Sequence, residues 1–181
     1  MKCNKIVIKW DEVENLHLAE KGQKRSVAKK VLKILHNMLI GEYTHTLDPK
    51  KRLSMPSKFR TELGKKVIVT KGFEKCLFVY QMKGWQSAVE KLRNLPTGDA
   101  SARGVGRFFF GSAVETDVDS LGRILIPDFL KEFGGLGEKV VVVGMYERIE
   151  LWNEDAWKEY KTRIENDADT LAGKFGEAGT L

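Results

Sequence analysis

The segment Asp48-Pro-Lys-Lys-Arg-Leu-Ser-Met-Pro56 recurs 71 residues later as Asp119-Ser-Leu-Gly-Arg-Ile-Leu-Ile-Pro127. Its aspartate, its arginine and its final proline all keep this offset. Further matches follow in the same order: Lys66–Thr70 with Lys139–Val143, Phe73–Lys75 with Tyr146–Arg148, Phe78–Val79 with Leu151–Trp152, and Trp85 with Trp157. Agreement at this many ordered positions indicates an internal repeat, so the chain is predicted to contain two copies of one module.

Each copy spans about 45 residues. An isolated module of this size buries too little apolar surface to be more than marginally stable. The two copies are therefore expected to pack on each other, or to exchange strands with copies in other chains. Alternation and β-forming residues predict four strands in the first copy, at Tyr43–Leu47, Arg52–Met55, Val67–Thr70 and Cys76–Tyr80. Asp48 and the proline after it open a turn between the first two strands.

Two helices complete each module in this interpretation. Ser57 is expected to cap a short helix directly after Pro56, with Phe59 and Leu63 on its buried face and Gly64 at its end. A second, amphipathic helix is predicted from apolar spacing in both copies, at Trp85, Val89 and Leu92 and at Trp157, Tyr160 and Ile164. This order of elements predicts an α+β fold that is mainly β.

Shifts in composition divide the chain into five segments. These are an N-terminal extension (1–37), a first module (38–95), a linker (96–113), a second module (114–165) and a flexible C-terminal tail (166–181). Phe108–Phe110 in the glycine-rich linker is interpreted first as core packing, with a buried strand, a helix start and a partner contact as alternatives. The Gly- and acid-rich tail is expected to fray.

The composition argues against several classes of protein. The chain has 42% hydrophobic and 31% charged residues, which is typical of a globular protein rather than a disordered one. No apolar run approaches the roughly 18 residues that cross a membrane, and no signal-peptide core is visible, so a cytoplasmic protein without a membrane partner is expected. Cys3 and Cys76 form no disulfide framework and have no metal-ligand neighbours, so neither a metal nor a cofactor is expected.

Positive charge is concentrated in the first half of the chain. Residues 1–37 have a net charge of +5, residues 38–99 have +6 and residues 100–181 have −5, which gives +6 overall. A solvated surface is the common explanation for a single charge run. The first half as a whole is nevertheless basic enough to face a polyanion.

The Asp-x-x-x-Arg element is the candidate binding site. Because Pro49 disfavours a helix, the pattern predicts a tight turn in which Asp48, and Asp119 in the second copy, accept hydrogen bonds from turn amides and have a structural role. The cations of the first copy are Lys50, Lys51 and Arg52 on the loop, with Lys58 and Arg60 on the next helix. A basic loop on a rigid hairpin suits phosphate contact, and an arginine can reach a guanine edge. A solvated charged turn is the alternative.

The second copy of the element is less basic. It keeps Arg123 but lacks the lysines, and Glu115 and Asp117 precede it. The first module is therefore expected to carry more of a DNA contact than the second.

An enzyme is the weaker hypothesis. The three histidines have no spacing that suggests a catalytic base or a metal pair, and the chain contains no phosphate-binding loop motif. Asp117 and Asp119 have the spacing of a Mg²⁺ pair, but such positions more often form a solvated edge. The sequence therefore predicts a protein that is not an enzyme.

Residues 38–60 read Met-Leu-Ile-Gly-Glu-Tyr-Thr-His-Thr-Leu-Asp-Pro-Lys-Lys-Arg-Leu-Ser-Met-Pro-Ser-Lys-Phe-Arg. This segment resembles the start of the MraZ family of bacterial transcriptional regulators. The second Asp-x-x-Gly-Arg motif, and Val140–Gly144 through Glu150–Trp152, resemble that family's second repeat. The resemblance covers residues 38–165. It implies two tandem AbrB/SpoVT-like swapped-hairpin modules that form a small double-psi-type barrel with flanking helices.

The resemblance also implies a function. Members of the family assemble as rings, from homo-octamer to homo-dodecamer. They bind double-stranded DNA at repeated boxes upstream of their own gene, which heads the division and cell-wall cluster, so association with the nucleoid is expected. Carried onto this chain, the resemblance makes Lys50, Arg52 and Arg123 DNA contacts, with Thr44 and Thr46 as weaker candidates.

Two departures from the family pattern stand out. Lys51 occupies a position where the family usually has glycine, which either alters the turn or adds a phosphate contact. The family normally begins where Met38 stands, so a misassigned start is expected for residues 1–37; if translated, this extension is a basic arm. The alternative function is a ring-forming assembly protein without specific DNA binding, and the basic first loop is the feature that argues against it.

Overall fold

The computed structural model describes residues 38–93, 96 and 98–177. The expectations for the N-terminal extension, residues 1–37, lie outside the described residues. The described residues from Leu39 onward form one compact unit, and all the elements below belong to it.

Eight strands and five helices occur in the described part of the chain. The strands are β1 (Leu39–Thr46), β2 (Arg52–Ser54), β3 (Lys66–Lys71), β4 (Leu77–Gln81), β5 (Val114–Asp117), β6 (Arg123–Leu125), β7 (Lys139–Tyr146) and β8 (Ile149–Asn153). The helices are α1 (Ser57–Leu63), α2 (Met82–Arg93), α3 (Ala100–Phe110), α4 (Asp128–Phe133) and α5 (Glu154–Glu177). The order strand, strand, helix, strand, strand, helix occurs once before α3 and once after it, which confirms the predicted repeat.

The two modules exchange strands within the one chain. Six strands form an antiparallel sheet in the order β1-β7-β8-β4-β3-β5, and β2 pairs with β6 in a separate two-stranded ribbon. The first strand of each module therefore pairs with the third strand of the other. Exchanging the modules leaves this strand order unchanged, so the two copies are related by a pseudo-twofold axis.

Two ladders join equivalent strands across this axis. In the β2–β6 ribbon, Leu53 lies opposite Ile124, its counterpart 71 residues later. In the β4–β8 pair, Phe78 lies opposite Glu150 at the centre of the ladder. Because equivalent strands pair with each other at the centre, neither module has a complete sheet of its own.

The β4–β8 register corrects one detail of the sequence alignment. A ladder centred on Phe78 and Glu150 makes Tyr80, rather than Val79, the counterpart of Trp152, so the alignment of this strand was wrong by one residue. The reason is that both strands are buried on both faces, so that apolar residues match apolar residues in either register.

Both faces of the sheet are covered. On one face the β2–β6 ribbon, α1 and α4 enclose a layer that includes the fully buried residues Leu53, Phe59, Ile124 and Leu130. On the other face α2, α3 and α5 enclose an aromatic layer of Phe78, Tyr80, Phe109 and Trp152, with Trp85 and Trp157 packed against it. The ribbon is therefore held in place by the core while its outer face stays available for contacts.

The strands of the described region do not close into a barrel. β1 and β5 are the edges of the six-stranded sheet, and the ribbon approaches them only through the single bridges Leu47–Leu53 and Val118–Ile124. Closure requires continuous ladders at both places. The fold is α+β with an open antiparallel sheet, and the expected double-psi-type barrel is not found.

Three local predictions need adjustment. Ser57 begins α1 and makes no capping hydrogen bond, because the helix starts directly after Pro56. The linker contains α3, in which Phe109 is buried, so core packing at a helix end describes it. Residues 166–177 of the expected flexible tail are helical, because the stretch from the start of α5 to residue 172 has no glycine or proline to end the helix.

Within the described residues, no helix has both the length and the apolar character needed to cross a membrane.

Candidate nucleic-acid interface

The two Asp-x-x-x-Arg elements form the same turn. In the first, the Asp48 carboxylate accepts a hydrogen bond from the Arg52 backbone N–H at 2.9 Å, and its other oxygen accepts one from Arg52 Nε at 2.7 Å. In the second, Asp119 accepts the corresponding bonds from Arg123 at 2.9 Å and 2.7 Å. An Nη2 nitrogen of each arginine also lies within 2.6–2.7 Å of its aspartate. Each aspartate therefore fixes both the turn and the orientation of its guanidinium group.

Lys51 adopts the backbone conformation of the glycine that stands at its counterpart. Its φ is 60°, close to the 73° of Gly122, and the two turns are closed by the same backbone hydrogen bond at 2.8 Å. The left-handed region costs a non-glycine residue about 1 kcal/mol. Lysine at this position therefore leaves the turn unaltered, and its Nζ lies 2.5 Å from Asp128 Oδ1.

Arg52 and Arg123 lie on the outward face of the β2–β6 ribbon. The central residue of each strand is buried, so the residues on either side of it point outward. Arg52 opposes Leu125, and Arg123 opposes Ser54. The two arginines therefore occupy diagonal positions, whose Cα atoms are roughly 7–8 Å apart. The ribbon presents one oriented guanidinium group from each module, each held beside its own turn.

Strand exchange places each turn beside the helix of the other module. The Met55 N–H donates to the Gly122 carbonyl at 2.9 Å. A Cβ atom on Gly122 would collide with Arg60 Cδ, so the Arg60 side chain passes directly over the second turn. Arg60 Nε also donates to the Met55 carbonyl at 2.8 Å. Arg60 follows the first turn in sequence but lies against the second turn, because strand pairing rather than chain proximity decides its neighbour.

The remaining candidates lie at different places. Lys50 is exposed at the tip of the first turn. Thr46 is exposed and lines a groove beside this turn together with Lys131 and Glu138. Thr44 is also exposed, but it pairs with Val141 of the aromatic layer and so points to the helix-covered face of the sheet. Thr46 therefore lies beside the first turn, whereas Thr44, two residues earlier on the same face of β1, lies farther from it.

The carboxylates of both turns titrate below their usual range. Hydrogen bonds from the Arg52 backbone and then from its guanidinium lower the pKa of Asp48, and hydrogen bonds from the Arg123 side chain and then its backbone lower the pKa of Asp119. Binding of Mg²⁺ by Asp119, which the sequence disfavoured, would compete with these bonds and with the one that the carboxylate accepts from the Leu121 N–H at 2.9 Å. In the described residues no group of three or more His, Cys, Asp or Glu side chains could hold a metal ion.

A pH dependence of stability follows from these shifts. A carboxyl whose pKa is lowered on folding stabilises the protein above its unfolded pKa, near 3.8, and loses that contribution as the pH falls through its folded pKa. We expect the urea midpoint of the wild type to fall below about pH 4 more steeply than that of Asp48→Asn/Asp119→Asn. Equal slopes in the two proteins between pH 6 and pH 2.5 would show that the turns contribute no linkage.

The interlocked repeat, with its matched pair of Asp–Arg turns on one ribbon, defines a protein of two strand-exchanged modules. A family model described as "MraZ protein, putative antitoxin-like" matches residues 38–108 and again residues 109–174. The chain belongs to the MraZ family.

Curated relatives bear out this assignment. The chain is 47% identical over 138 residues to the transcriptional regulator MraZ of Moorella thermoacetica, an alignment that covers 76% of this chain and 96% of that protein. It is 46% identical over 142 residues to the protein of the same name from Caldicellulosiruptor bescii, covering 78% and 99%. The relative from Alkaliphilus metalliredigens is 44% identical with the same coverage. The chain is a transcriptional regulator of this family.

Proposed function

We propose that the outward face of the β2–β6 ribbon binds double-stranded DNA and that the protein regulates transcription by sequence-specific binding. The observation that carries the proposal is the pair of oriented arginines on one two-stranded ribbon. The major groove of B-DNA, about 12 Å wide, admits such a ribbon. Strand exchange between β1 and β7 and between β5 and β3 supports assigning each module to the AbrB-like swapped-hairpin type.

The contacts follow from the chemistry of each side chain. Arg52 and Arg123 each engage their aspartate through two of five N–H groups, which leaves donors for a guanine edge or a phosphate. Lys50 and Lys51 supply phosphate contacts. Thr44 and Thr46 are secondary phosphate contacts on the edge strand, and Thr46 is the better placed of the two.

We further propose that the protein acts as a ring, from homo-octamer to homo-dodecamer, at repeated boxes upstream of its own gene in the division and cell-wall cluster. A ring presents the same ribbon many times, so weak contacts with successive boxes reinforce each other by effective concentration. The names of the relatives support the regulation of transcription, which is the part of this proposal that they mention. Such a protein resides in the cytoplasm and associates with the nucleoid.

The test is an electrophoretic shift with DNA from upstream of the gene, at moderate salt and with shuffled DNA as competitor. We expect a specific shift for the wild type and a loss of roughly tenfold to a hundredfold in specific affinity for Arg52→Ala, because a bidentate base contact is worth about 1–3 kcal/mol. Arg52→Lys is the matched control: it keeps the charge but lacks the planar fork, so it should retain nonspecific binding and lose specificity.

Two outcomes count against the proposal. Unchanged specific binding in Arg52→Ala, with the oligomer intact by size-exclusion chromatography, would remove the first turn from the contact. Absence of a specific shift from wild-type protein that is folded and oligomeric would favour the assembly-protein alternative.

A further inference from the structure

The charge of each module in the sequence differs from the charge at each end of the folded β2–β6 ribbon. The first turn, residues 48–52, has a net charge of +2, and the second, residues 119–123, has none. The helical segment that follows in the first module, residues 57–65, has +2, whereas its counterpart in the second module, residues 128–138, has −2. By sequence, then, the first module holds nearly all of the positive charge.

Strand exchange reassigns these segments. The Val118 N–H, next to the second turn, donates to the Lys65 carbonyl at 2.9 Å, and Arg60 passes over Gly122 in that turn. The first turn instead receives the acidic segment: the Leu47 N–H donates to the Glu138 carbonyl at 2.7 Å, and Asp128 forms an ion pair with Lys51. Each end of the ribbon is thus built from the turn of one module and the helical segment of the other.

The exchange has an electrostatic consequence. We define the first-turn end as residues 48–52 with residues 128–138, and the second-turn end as residues 119–123 with residues 57–65. The first-turn end has no net charge, and the second-turn end has +2. On the neighbouring strand β5, Glu115 forms an ion pair with Lys66, which also lies opposite Asp117. Counting these three residues lowers the second-turn end to +1, and the ion pair of Lys139 with Glu154 beside the first turn adds no net charge. The less basic of the two turns still lies at the more basic end.

We infer that the second-turn end is the main phosphate-binding end of the ribbon, with Arg60 and Lys65 of the first module flanking Arg123. This inference rests on the proposed function and names how the DNA backbone is held. Arg60 and Lys65 are exposed. In this inference their side chains contact the backbone phosphates on either side of the DNA major groove. Lys51 contributes less, because Asp128 already compensates its charge.

Matched double variants test this inference. Arg60→Gln/Lys65→Gln and Lys50→Gln/Lys51→Gln each remove two positive charges, one pair from each end. Binding to the upstream DNA is measured by fluorescence anisotropy over a range of salt concentrations. We expect the first variant to reduce the slope of log affinity against log salt by about two, and the second by about one or less, since each phosphate contact contributes about 0.9 to the slope.

Arg60 also donates a hydrogen bond to the Met55 carbonyl, so its replacement could affect the structure as well as the charge. Single variants separate these two effects. Lys65→Gln leaves the Arg60 hydrogen bond in place and should still reduce the slope by about one, more than Lys50→Gln. Glu138 is the counterpart of Lys65 in the second module, so Glu138→Lys gives the first-turn end the same residue. This variant should strengthen DNA binding severalfold. Equal or larger losses from the first-turn variants would overturn the inference while the proposed function stands. Absence of DNA binding by the wild type would overturn both.

Discussion

Leu53→Ala is expected to lower the free energy of unfolding by about 3–4 kcal/mol, the range for a leucine whose removal leaves a cavity in a rigid core. Leu53 has no exposed surface, lies opposite Ile124 across the pseudo-twofold axis and belongs to the layer that includes residues of both modules. The side chain therefore supports the ribbon and the sheet together. Urea denaturation followed by circular dichroism, at one fixed protein concentration, measures the change.

The same experiment tests whether the modules unfold together. Because β1 pairs with β7 and β5 pairs with β3, neither module can separate without breaking the sheet of the other. Leu53→Ala should shift a single transition rather than split it. Ser54→Ala, next to it on the outward face, should change stability by less than about 0.5 kcal/mol. A shift below 1 kcal/mol for Leu53→Ala, or two resolved transitions, would contradict the interlocked core.

The sequence predicted the elements of this fold better than their arrangement. The repeat, the four strands of the first module and the apolar spacing of α2 could be predicted, because period-two and period-3.6 patterns in the sequence reflect which residues are buried locally. The pairing of the strands could not be predicted, because strands that are buried on both faces have no sequence pattern that indicates their partner. The one-residue error in the alignment at Trp152 has this cause. The double-psi-type barrel, by contrast, was implied by the family resemblance, and the described strands do not form it.

The candidate site shows the same limit. The role of Asp48 in the turn followed from the five-residue pattern, because both partners lie within one turn of chain. The position of Arg60 did not, because its neighbour Gly122 is 62 residues away in sequence. The glycine itself was a signal: the family pattern has glycine before the arginine, and in the second turn that residue leaves room for the Arg60 side chain. The ranking of the two turns by their own charge missed this contribution.

Arg52→Ala/Arg123→Ala is expected to reduce specific DNA affinity by roughly a hundredfold or more, because two contacts of about 1–3 kcal/mol each are lost from one ribbon. In the proposed DNA complex, the diagonal positions of the two arginines would place them over the same few base pairs. If both read one box, the losses of the single variants should add in the double variant, since the side chains bond to separate aspartates and share no partner.

The additivity can be measured by titrating labelled upstream DNA with the wild type, both single variants and the double variant at the same salt concentration. Asp48→Asn and Asp119→Asn serve as companions, because each keeps an arginine whose orienting carboxylate has gone, and each should show a smaller loss than removal of the arginine itself. A double variant no weaker than Arg52→Ala alone would mean that only the first turn reads the box. The ribbon would then present Arg123 to the DNA backbone, beside Arg60, as part of the phosphate-binding end.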